Sequence, residues 1–99
     1  MTDALTQRVR ELTELVEPFG FDVKIDLGRD GVIHIASTEA PVEVSNEDKP
    51  ASTTLQVSPA TLEAILAGRQ NVMSAYMFGK VRVKGDLDKV MALAKALTA

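Results

Sequence analysis

The chain has 99 residues and a net charge of −3. That length holds one hydrophobic core and no second, so a single domain over residues 1–99 is expected. The lack of cysteine excludes a disulfide framework, a thiolate zinc site and a thiol nucleophile, and no apolar run approaches the ~18 residues of a membrane span.

The charge is unevenly divided. Residues 1–68 hold five basic and twelve acidic residues, whereas residues 69–99 hold six basic and two acidic ones. A basic C-terminal third on an acidic protein can present a cationic face to an anionic membrane, an acidic ligand or a partner; clustered solvated charges are the plain alternative. The opening MTDALT lacks the basic-then-apolar order of a signal peptide, and the closing ALTA lacks a peroxisomal signal. Cytoplasmic residence is the expectation.

Leu5, Val9, Leu12 and Val16 recur at helical spacing, with Leu15 widening the stripe. Thr2 or Asp3 can cap this first helix, and Pro18 and Gly20 end it. Phe21, Val23, Ile25 and Leu27 alternate with Asp22, Lys24 and Asp26, the pattern of a half-buried strand. Gly28-Arg29-Asp30-Gly31 signals a hairpin into a second strand at residues 32–36. A third, weaker strand is expected at 41–45 and, after a polar turn at 46–50, a fourth from the alternation of Thr53, Leu55 and Val57.

Ser58 can cap the next helix with Pro59 at its first position, and Gly68 stops it. Asn71 caps a second short helix that ends at Gly79. Cations then alternate with Val81 and Val83 over residues 80–84, and Gly85-Asp86 opens a last helix striped by Leu87, Val90, Met91, Ala94 and Leu97. One helix, four meandering strands, two helices, a strand and a helix predict an α+β fold. Its five-stranded, mostly antiparallel sheet is covered by helices on one face.

The Leu/Ile helix ending in Gly68-Arg69, the Asn71-led Met/aromatic helix and the run Gly79-Lys80-Val81-Arg82-Val83-Lys84-Gly85-Asp86 resemble the sterol-carrier-protein-2 (SCP2) lipid-binding domain family. The resemblance is weak before residue 50 and good from Ser58 onward. It implies a sheet covered by helices, with an apolar tunnel between the layers that holds fatty acids, fatty acyl-CoA, sterols or other lipids. Two features depart from it. Many relatives carry Pro after the Asn of the second short helix, where this chain has Asn71-Val72. Relatives often continue into a tail that helps close the tunnel, whereas this chain stops at Ala99, which leaves tunnel closure and ligand length open.

Candidate chemistry is sparse. His34 is the only histidine and sits mid-strand between Ile33 and Ile35, the position of a sheet-surface residue rather than a ligand or base. No serine lies in a G-x-S-x-G context, and the two Gly-cation pairs lack phosphate-loop spacing. Asp86 and Asp88 suit a helix start. A non-enzymatic protein without metal or cofactor is expected.

On the resemblance, the ligand-binding residues are Ile33, Ile35 and Leu55, with Leu66, Met73, Tyr76, Met77 and Phe78 from the short helices. Val83, Val90, Met91 and Ala94 complete the set. Each alone suits an ordinary core; together, the unbranched thioethers suggest a lining that reshapes around varied apolar ligands. Lys80, Arg82 and Lys84 share one strand face, fitting transient contact with an anionic membrane or protection of an edge strand. The acidic balance and few aromatics argue against nucleic acid. The leading expectation is a lipid carrier. The alternative is an interaction or dimerisation module that offers its apolar face to a protein partner, a second copy included.

Overall fold

The computed structural model describes residues 3–14 and 16–98, with Asp3 and Thr98 as backbone only. Leu15 and any side-chain cap from Thr2 or Asp3 lie outside the described residues. Helix α1 covers Asp3–Thr13 and ends before Val16, the last residue of the expected stripe. At that end the Thr13 hydroxyl donates to the Val9 carbonyl (2.9 Å) and the Arg10 carbonyl (3.3 Å), a local competitor to helical bonding. Pro18 further disfavours helical backbone at Glu17.

Strands β1 (Val23–Asp26), β2 (Val32–Ala36), β3 (Glu43–Ser45), β4 (Thr53–Val57) and β5 (Val81–Lys84) form one sheet in the order β3-β2-β1-β4-β5. Three pairings are antiparallel, while β4 runs parallel to β1. The sheet is therefore mostly antiparallel, as expected, but its first four strands do not meander. Residues 46–52 instead carry the chain from the β3 edge back across the sheet. Hydrogen bonds hold this crossing down: Asn46 Nδ2 donates to Thr6 Oγ1 (2.8 Å) and the Val32 carbonyl (2.9 Å), and the Ser52 N–H donates to the Asp22 carbonyl (3.0 Å). Lys24 adds an ion pair to Asp48 at 2.6 Å. β3 starts at Glu43 rather than at Pro41, because Pro41 has no N–H to give the ladder. The turn after β1 is a single 3-10 turn, Gly28–Asp30, in which Asp26 Oδ1 accepts from the Gly28 N–H at 2.9 Å.

Alternation decides which side of the sheet is buried. Val23 sits opposite Ile35 and Thr53, Ile25 opposite Ile33 and Leu55, and Leu55 opposite Val83. These residues project to one face, where Val23, Ile25, Ile33 and Ile35 are fully buried. Covering them are α1, α2 (Pro59–Leu66) and α4 (Leu87–Thr98), through Val9, Leu62, Ile65, Val90 and Leu93. Each such side chain stabilises the fold by roughly 1.5–3 kcal/mol. α3 (Val72–Met77) packs against β5 and α4.

The helix starts follow the sequence signals. Ser58 Oγ accepts from the Thr61 N–H at 3.1 Å with Pro59 in the first turn, and Asp86 Oδ1 accepts from the Asp88 N–H at 2.9 Å. Between β5 and α4 the backbone turns at Gly85 with φ +119°, where a Cβ would lie 2.9 Å from the Ser52 carbonyl. Only glycine satisfies both conditions.

Candidate functional site

The twelve expected ligand residues fall into three groups. Ile33, Ile35, Leu55, Leu66, Val90 and Ala94 are buried in or at the rim of the core, and Val83 and Met91 are half-buried against it. The four from α3 and its end face the opposite way. Met73 is 38% exposed, Tyr76 41%, Met77 76% and Phe78 80%. The ordinary-core reading of these four does not hold.

Local geometry explains the inversion. α3 has six residues, and the two that lie one turn apart toward the core are Val72 and Ala75, 6% and 0% exposed. Asn71 Oδ1 accepts from the Met73 and Ser74 N–H groups (2.8 and 3.2 Å), which fixes the helix start and so its rotation. A small Ala75 lets the backbone approach β5 and α4, leaving Met73, Tyr76 and Met77 on the outer side. The signal was available in the Val72/Ala75 spacing, but larger apolar neighbours outweigh an alanine in any reading by hydrophobicity.

Two clefts open between helices. One, of ≈ 500 Å³, lies between the α2–α3 turn and α4. Its apolar wall is Val72, Met91 and Ala94, and its rim carries Arg69 and Lys95 with Gln70 and Asn71. Both cations are exposed, and neither forms an ion pair among the described residues. The other, of ≈ 590 Å³, separates α1 from α2 and is lined by Leu5, Pro59, Ala60 and Leu66 between Arg8 and Glu63. Both are within the ~300–1,000 Å³ of small-ligand sites. The expected set is thus split, with Met91 and Ala94 in the first cleft and Leu66 in the second. Sequence reasoning passed over Arg69, Lys95, Leu5 and Ala60, which become partners only once the helices are assembled. An apolar wall with exposed cations on its rim can bury a hydrocarbon chain and hold an anionic end in water.

The opposite sheet face is polar. Lys24, Thr54 and Lys84 lie in one cross-strand row, and Asp26, Gln56 and Arg82 in the next. Arg82 and Lys84 are exposed there while Val81 turns inward. His34 is on this face, yet it is 2% exposed, a correction to the surface position expected for it. The crossing segment covers it: His34 Nε2 lies 3.1 Å from the Pro50 carbonyl and 4.0 Å from Asp22 Oδ2. Among the described residues no cluster of His, Asp and Glu could hold a metal ion.

Comparison with known proteins agrees with this architecture. Residues 2–98 match the family model described as the SCP-2 sterol transfer family. The chain is similar to non-specific lipid-transfer protein-like 1 of Caenorhabditis elegans, 24% identical over 96% of this chain and 85% of that one. Its fold is similar to the solution structure of sterol carrier protein-2 from Aedes aegypti in complex with palmitate, with a TM-score of 0.75 and 19% identity over 97% and 93% of the two chains. It is also similar to the crystal structure of sterol carrier protein 2 like 2 from Aedes aegypti, with a TM-score of 0.72 and 20% identity over 95% and 94%.

Proposed function

The chain belongs to the SCP-2 sterol transfer family, and from that premise we propose that it is a non-enzymatic carrier of single-chain lipids, cytoplasmic in location. The observation that carries the reading is the cleft beside α4, where Val72, Met91 and Ala94 form an apolar wall under the exposed cations Arg69 and Lys95. A fatty acid fits this pattern: its chain lies on the wall and its carboxylate meets the cations. The palmitate complex of the Aedes aegypti relative supports that ligand class. Ile33, Ile35 and Leu55 lie beneath closely packed helices. They join the site only if a helix lifts from the sheet, the route by which a longer or sterol-like ligand enters. Lys80, Arg82 and Lys84 add electrostatic attraction to anionic membranes where cargo is exchanged.

Removal of the chain from water drives binding at ~0.8 kcal/mol per CH₂, enough for about micromolar affinity after association costs. Mass spectrometry of lipids extracted from the purified protein should find fatty acids near one per chain. Palmitate added to stripped protein should raise the melting temperature. A ligand at 100 times its Kd contributes about 2.7 kcal/mol, a shift on the order of 10 °C for this size. An empty protein whose melting is indifferent to palmitate and sterol would end the carrier reading. The outward α3 residues favour a second reading, an interaction module, under which that same protein would capture a partner or dimerise through α3.

A further inference from the structure

We propose that α3 is a membrane-contact wedge: Met73, Tyr76, Met77 and Phe78 enter the interfacial layer of an anionic bilayer, with Lys80 and Arg69 held at its headgroups. The proposal extends the carrier reading and rests on it, since it gives the cleft its place of exchange.

Three observations carry it. First, α3 is built inside out, with Val72 and Ala75 toward the core and two large side chains more than three-quarters exposed. At roughly 200 Å² per large side chain, the four expose on the order of 500 Å² of apolar-rich surface, a patch of the size that marks an interaction site. Second, residues 64–85 contain Arg69, Lys80, Arg82 and Lys84 and no Asp or Glu, in a chain where acids outnumber bases 14 to 11. The basic residues nearest α3 on either side, Arg69 and Lys80, are exposed and form no ion pair among the described residues. Third, the wedge adjoins the cleft. Asn71 and Val72 line the cleft, and the outward face begins at the next residue.

Charge and area together select the occupant. A second copy meeting this face symmetrically would set Arg69 and Lys80 against the same cations, and the patch is short of the ~800 Å² per partner of a stable dimer. An anionic bilayer meets both features. It accepts apolar side chains without shape complementarity, suits a tyrosine whose hydroxyl stays at headgroup level, and attracts the flanking cations.

The test uses the full chain and extruded vesicles of phosphatidylcholine with 30% phosphatidylserine, against phosphatidylcholine alone. The chain has no tryptophan, so Phe78→Trp supplies a single reporter whose emission should shift to the blue on phosphatidylserine vesicles only. In sedimentation, M77S/F78S should lose binding about tenfold or more, with unchanged circular dichroism because both positions already face water. K80Q should lose about fivefold on the anionic vesicles. Full vesicle binding by M77S/F78S would overturn the assignment. So would absence of wild-type binding to the anionic vesicles, or a wild-type dimer that M77S/F78S dissolves. Palmitate binding by the wild-type protein without vesicles tests the carrier reading separately, so failure of one is distinguishable from failure of the other.

Discussion

Gly85 is where a single missing methyl group matters most. Its φ of +119° disfavours any side chain, and an added Cβ would press on the Ser52 carbonyl at 2.9 Å and Thr53 Oγ1 at 3.0 Å. The contact is with backbone of the crossing segment, which Asp22 and Lys24 hold in place, so nothing yields cheaply. Gly85→Ala should therefore cost about 3 kcal/mol, strain and clash together, and lower the melting temperature by more than 10 °C. Gly68 has φ +78° and open space around it, so Gly68→Ala should cost about 1 kcal/mol. Equal losses in thermal melts would mean that the close approach at Gly85 carries no weight. At this scale the sequence was legible where chemistry is local. Ser58, Asn71 and Asp86 each cap the helix that their type and position announce. His34 was not legible, because the segment that buries it is brought over the sheet by a long-range crossing.

At the scale of elements, α3 separates what periodicity gives from what packing gives. Its start and stop could be read from Asn71 and Gly79, but its rotation depends on which side is offered a partner, and there a small residue outranks large ones. Ala75→Leu should overpack the contact with β5 and α4 and cost about 1–3 kcal/mol. Met77→Ser, a more drastic change by hydrophobicity, should stay within about 0.5 kcal/mol. Chemical denaturation of the two variants checks the order, and a larger loss for Met77→Ser would return α3 to the core. The sheet shows the same division. Every strand was foreseeable from alternation or from the turns that flank it, yet the parallel seating of β4 beside β1 was not. Alternation assigns faces and leaves neighbours undetermined; the neighbour here is chosen by the bonds that tie residues 46–52 across β1 and β2.

For the molecule as a whole the deciding feature is that α2 separates two clefts with different rim charge: two cations, Arg69 and Lys95, on one, and a cation with an acid, Arg8 and Glu63, on the other. The α1–α2 cleft is lined by one cation and one acid, so its formal charges cancel and offer a carboxylate little net attraction. The resemblance pointed to an interior between helices and sheet; the side chains there are buried, and the two clefts beside α2 open between helices. Placing one bulky ring in each cleft distinguishes them. Ala94→Phe projects into the space beside Val72 and Met91 and should lower palmitate affinity tenfold or more, about 1.4 kcal/mol at 25 °C. Because that space is open, the stability loss should stay at the low end of overpacking, about 1 kcal/mol. Ala60→Phe fills the α1–α2 cleft and should leave palmitate affinity within a factor of two or so. Titration of stripped protein with palmitate, read by thermal shift, compares the pair. The reverse order would move the acyl chain to the α1–α2 cleft and make the Arg69–Lys95 rim a bystander. Equal losses in both would mean that the chain threads under α2 and draws on both spaces, with Leu66 between them.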